Sequence, residues 1–246
     1  MGAVPTVELT VPTPDGACAA TLHTPAEPGT HRPVLLFHDA GGVRPTFHTM
    51  ADRLAALGYA VLLPDLYHRT GGFAPFDMAT VFSDDGERTR LMTLAYSISR
   101  DTVTTDAAAC LDVLAGRAEV APGPAGTTGY CLGGWVSLIV AGRLGERIGA
   151  AASFHGGGLG ADDPKSPHRL AGGVRARVYV AAAENDRAFP ADQHERLTAA
   201  YTAAGVAYTL EEYPAAHGFA VPDNPTFDEA AAERHWRATG DLFATL

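Results

Sequence analysis

The chain has 246 residues, 46% of them hydrophobic and 19% charged, a composition that suits a soluble globular protein with one large core and excludes a disordered one. A formal charge of −10 and a single lysine, Lys165, exclude a nucleic-acid footprint, which needs clustered Lys and Arg against phosphate. Three cysteines without C-x-x-C spacing give neither a disulfide framework nor a zinc signature and point to reduced thiols in the cytoplasm, and no leader pattern or 18-residue apolar run speaks for secretion or a membrane.

Residues 7–11 and 17–23 alternate in polarity around Pro12-Thr13-Pro14-Asp15-Gly16, which predicts an antiparallel hairpin at a sheet edge. The continuous apolar run over 33–39 predicts a parallel strand covered on both faces, ending in Ala40-Gly41-Gly42. A helix over 46–57 stops at Gly58, and a second buried strand follows over 59–63. Residues 69–85 hold glycines, prolines and aromatics without periodicity, which marks a loop or lid; Phe73, Phe76 and Phe82 could line a pocket or simply anchor it.

Two helices are expected over 87–96 and 101–114, strands over 149–155, 177–183 and 208–213, and helices over 191–204 and 227–246. Strands and helices alternating in this way give a doubly wound α/β fold, a mostly parallel twisted sheet of about eight strands with helices on both faces, undivided over 1–246. No G-x-G-x-x-G or Walker-type loop is present, so a nucleotide cradle is missing from the pattern. Met1-Gly2 with Thr6 formally fits a myristoylation pattern, which we read as chance.

The chemistry centres on Gly129-Tyr130-Cys131-Leu132-Gly133, where a short strand meets a helix. On such a turn the nucleophile's backbone is strained, so glycines must flank it and its side chain is pushed out at the end of the sheet. The Leu132 N–H then opens a helix and can bind an oxyanion, with a second N–H, that of Ala40, coming from the Gly-rich loop. Asp186 follows the strand over 177–183, and His217 follows the last strand in His217-Gly218-Phe219. Cys131, Asp186 and His217 thus stand in nucleophile, acid, histidine order, each at the C-terminal end of a strand, where ligands gather in open α/β sheets. His38, His68 and His155 also fall near strand ends and could line a pocket.

These motifs, Gly129-Tyr130-Cys131-Leu132-Gly133-Gly134, Asn185-Asp186 with Pro190, and His217-Gly218-Phe219, resemble those of the dienelactone hydrolase family of α/β-hydrolases along nearly the whole chain. The resemblance implies hydrolysis of a small-molecule ester or lactone through an acyl-enzyme, without a cofactor or metal, by a monomer or small homo-oligomer. It also implies a carboxylate beside the thiol, matched by Asp39, and a substrate-binding Arg, matched by Arg90, with Tyr130 and Trp135 beside the nucleophile as further thiol-modulating or substrate-binding residues. A second family Arg falls where this chain has Val221, so a less anionic substrate, or a different pose, is expected. A thioesterase or lyase on the same scaffold and a non-catalytic binding protein remain alternatives, because a fold does not fix chemistry. With His217 as general base, activity is expected to fall in acid as it protonates.

Overall fold

The computed structural model describes residues 3–246; Met1 and Gly2, which begin the acylation pattern, lie outside the described residues. Eight strands, β1 (Thr6–Thr13), β2 (Gly16–His23), β3 (Arg32–Phe37), β4 (Tyr59–Pro64), β5 (Ala125–Tyr130), β6 (Ile148–Phe154), β7 (Arg177–Ala183) and β8 (Tyr208–Tyr213), form one sheet in the order β1-β2-β4-β3-β5-β6-β7-β8. The β1–β2 hairpin is antiparallel and joins β4 antiparallel; from β4 to β8 every neighbour is parallel. The parallel part therefore carries all its C-terminal strand ends along one edge.

The apolar run of β3 divides between two cores. Leu35 and Phe37 face the cluster built with α3 (Arg100–Ala115), α4 (Leu132–Arg143) and α5 (Ala191–Ala204). Val34 and Leu36 face the cluster built with α1 (Pro45–Ala56) and α6 (Glu229–Phe243). Burial on both faces explains why this strand reads as continuous apolar sequence, with no polar alternation.

Side chains that close helices and strands account for most differences in boundary. Asp84 accepts from the Gly86 and Glu87 N–H groups, so α2 (Asp85–Ser97) begins before the expected position 87. Ser99 and Thr102 form a capping box that starts α3 at Arg100. The strand expected to reach residue 39 stops at Phe37, because the fully buried His38 turns inward, bonding the Asp39 carbonyl through Nδ1 and accepting the Leu66 N–H at Nε2. The loop expected over 69–85 starts with a short 3-10 turn, His68–Thr70, and is held at that end by the bidentate Arg69–Asp106 pair.

Candidate active site

Cys131 caps α4 with φ 53° and ψ −113°, a backbone that β-carbon-bearing residues rarely adopt. Its N–H donates to the Phe154 carbonyl at 3.1 Å, and its own carbonyl accepts from the Gly134 N–H at 3.1 Å. The flanking glycines are imposed by backbone contact: a β-carbon on Gly129 would run into the Gly133 carbonyl, and one on Gly133 into the carbonyls of Phe37 and His38. The turn closes only when both positions lack side chains.

Asp186 leaves the C-terminal end of β7 after Asn185, itself at φ 53°. Its carboxylate is 4% exposed; Oδ1 accepts the Ala188 N–H at 2.8 Å, and Oδ2 bonds His217 Nδ1 at 2.7 Å. That bond fixes the proton on Nδ1 and leaves Nε2 for the thiol. Burial alone would lower the His217 pKa, but the neighbouring Cys131 and the Asp186 carboxylate outweigh burial and raise it to about 10. Cys131, Asp186 and His217, distant in sequence, are thus brought together at one edge of the sheet.

The helix start that Cys131 caps also presents the Leu132 N–H, and the loop after β3 presents that of Ala40; among the described residues neither has an internal acceptor outside the helix and strand ladders. Ala40 is held by its carbonyl, which accepts the buried Tyr67 hydroxyl at 3.0 Å. Met78 closes against Gly41 and Phe73 against Gly42, so the 71–84 segment covers this loop.

The expected neighbours of the thiol fare differently. Asp39 is buried, with Oδ1 accepting from the Gly41 N–H at 2.8 Å and from Arg44 Nη1 at 2.6 Å, and Oδ2 accepting from Arg44 Nη2 at 2.9 Å. Its oxygens are engaged by Arg44 and Gly41, and no hydrogen bond to Cys131 is among those of the described residues. Arg90 does not wait for a substrate; it pairs with Glu87 at 2.6 Å, donates to the Ala74 carbonyl at 2.7 Å and lies 3.8 Å over the Phe76 ring. It anchors the covering loop.

Tyr130 is corrected too. Alternation along β5 turns its ring to the α6 side, where it is fully buried and its hydroxyl donates to His235 Nε2 at 3.1 Å. It supports the turn from beneath and cannot line a pocket. Trp135, partly buried on α4, packs against the core shared with α3 and α5.

Sequence reasoning missed Arg44. All five of its N–H donors are in use, on Asp39, on Asp223 and on the Gly42 carbonyl. It straps the start of α1 to the Gly-rich loop and to the segment after His217. The only signal was a basic residue between Gly41-Gly42 and a helix-starting Pro45, which is too common to single out. Among the described residues no three His, Cys, Asp or Glu side chains gather as metal ligands, and no helix is long and apolar enough to cross a membrane.

The model of the dienelactone hydrolase family matches residues 18–246. A carboxymethylenebutenolidase from Pseudomonas sp. (strain P51) is 30% identical over 220 residues, covering 88% of this chain and 85% of that protein. The crystal structure of P91, a dienelactone hydrolase-like promiscuous phosphotriesterase from metagenomic libraries, superposes with a TM-score of 0.80 at 25% identity, covering 99% of this chain and 98% of that one. The dienelactone hydrolase of Anabaena variabilis ATCC 29413 shares the fold, with a TM-score of 0.68 at 17% identity over 99% of this chain and 98% of that one.

Proposed function

Because the chain belongs to the dienelactone hydrolase family of α/β-hydrolases, it is a hydrolase of ester or lactone bonds, and we propose that it works through an acyl-enzyme on Cys131. The observation that carries this reading is the 2.7 Å bond that His217 Nδ1 donates to Asp186 Oδ2 at the same sheet edge as Cys131, with both neighbours raising the His217 pKa.

The thiolate attacks the substrate carbonyl carbon, and the resulting oxyanion is bound by the Leu132 and Ala40 N–H groups. As the C–O bond breaks, His217 gives its Nε2 proton to the leaving alkoxide. The now neutral His217 deprotonates a water, which attacks the thioester, releases the carboxylic acid and restores the thiolate.

The substrate is a small neutral ester or lactone. Arg90 and Arg44 have their donors engaged elsewhere, and Val221, fully buried in the α1–α6 core, offers no charge, so none of these three positions supplies a bidentate carboxylate clamp. The protein acts as one domain, as a monomer or small homo-oligomer, in the cytoplasm, consistent with its three unpaired cysteines.

Mass spectrometry after exposure to a panel of p-nitrophenyl esters and lactones tests the mechanism. An acyl adduct on Cys131, lost in Cys131→Ala together with at least a thousandfold of kcat, is the expected result. Full activity in Cys131→Ala would remove the thiol from the mechanism.

A further inference from the structure

Among the described residues, three that are not glycine have a positive φ: Cys131 at 53°, Asn185 at 53° and His155 at 39°. The first is the nucleophile and the second abuts its acid. Such strain persists where function or surrounding structure over-determines the backbone, and the third position is not accounted for by the triad.

His155 follows the last residue of β6, and its N–H is fixed to the Ala181 carbonyl of β7 at 2.8 Å. The left-handed backbone carries its ring in among the aromatics beneath the site. The ring centroid lies 5.1 Å from that of His217, 5.0 Å from Phe219 in an edge-on contact, and 6.0 Å from Tyr130. His155 is 1% exposed, and neither ring nitrogen has a protein partner. With neither nitrogen bonded, what His155 offers its neighbours is the face and edge of a ring, packed against His217 and Phe219.

We propose that His155 is a positioning residue for the hydrolysis, a wall against one side of the His217 ring that keeps Nε2 aimed at the Cys131 thioester during deacylation. The inference rests on the acyl-enzyme reading above. Before acylation, attraction between thiolate and imidazolium holds the His217 ring in place. Once the sulfur is acylated that attraction is gone, and the single bond to Asp186 through Nδ1 leaves a pivot about which the ring can turn. The packed ring of His155 removes that freedom.

The wall must also be uncharged, or it would repel the imidazolium that forms each time His217 accepts a proton. Burial, with His217 and His235 adding to it, holds the His155 pKa well below its ordinary value. Those two histidines and Tyr130 are the titratable groups around it, from the loop after β8, from α6 and from β5.

His155→Asn removes the ring while keeping a residue that tolerates the left-handed backbone, and His155→Gly serves the same purpose should the Asn variant not fold. Single-turnover and steady-state kinetics with a p-nitrophenyl ester read the two half-reactions apart. We expect deacylation to slow about tenfold with the acylation burst unchanged, and His155→Phe, which restores a ring of similar breadth, to recover most of the rate. Wild-type deacylation in the Asn variant, equal slowing of both half-reactions, or no recovery with Phe would each overturn the assignment. Failure to trap acyl-Cys131 in the unsubstituted enzyme would instead overturn the acyl-enzyme reading on which it rests.

Discussion

His217 sits between Cys131 and the Asp186 carboxylate, and its raised pKa changes what pH should do. A raised pKa favours the imidazolium at neutral pH, the acid that the leaving alkoxide needs in the proposed mechanism. The expected fall of activity in acid is thereby confined to deacylation, when the sulfur carries no charge and the His217 pKa returns toward its ordinary value. We expect kcat/KM, which reports the free enzyme, to stay level from pH 6 to 8 while a deacylation-limited kcat declines toward pH 6; kcat/KM falling in parallel with kcat would refute the ion pair. The sign for stability follows from the same shift. A folded-state pKa above the unfolded 6.5 stabilises the fold fully below that value, and the contribution is lost as pH rises toward 10, measurable as an alkaline decline in melting temperature that Cys131→Ala diminishes.

Elements around the nucleophile turn meet through close backbone approach and through one guanidinium. Gly133→Ala should destabilise by about 3 kcal/mol, since the obstructing atoms are backbone carbonyls of β3 and the loop after it and cannot swing away. Gly240→Ala on α6 has open space around the added carbon and should stabilise by roughly 0.5–1 kcal/mol through helix propensity. Chemical denaturation of the two variants separates a glycine required by contact from one that is not. Arg44→Met leaves the buried Asp39 charge without its partner and should cost on the order of 3 kcal/mol. Adding Asp39→Asn should return part of that loss, and no recovery would show that the strap's charge pairing contributes little.

Across the whole molecule the net charge of −10 acts on any anionic substrate before it reaches Cys131. For a carboxylate-bearing lactone kcat/KM should rise with ionic strength, as screening shortens the reach of that repulsion. For a neutral p-nitrophenyl ester it should stay within about twofold from 10 to 200 mM salt, given that screening has no charge to act on. An anionic lactone hydrolysed faster than neutral esters at low salt would mean that a cationic clamp operates at the site, against the engagement of Arg44 by Asp39 and Asp223 and of Arg90 by Glu87.

What the sequence by itself determined was local: the strands over 177–183 and 208–213 and the helix over 191–204 match β7, β8 and α5 residue for residue, and the strained turn at Cys131 was legible because such a turn needs the glycines found at 129 and 133. Strand periodicity and turn chemistry depend on neighbours a few residues away, so they are written in the chain. Only the tertiary structure decided which charges are engaged. That Asp39 is held by Arg44, that Arg90 closes on Glu87 and Ala74, and that the Tyr130 hydroxyl reaches His235 are pairings set by packing distant segments together. Electrostatic and hydrogen-bond partners are chosen by distance in space, and one-dimensional spacing carries no record of that distance until the sheet has formed.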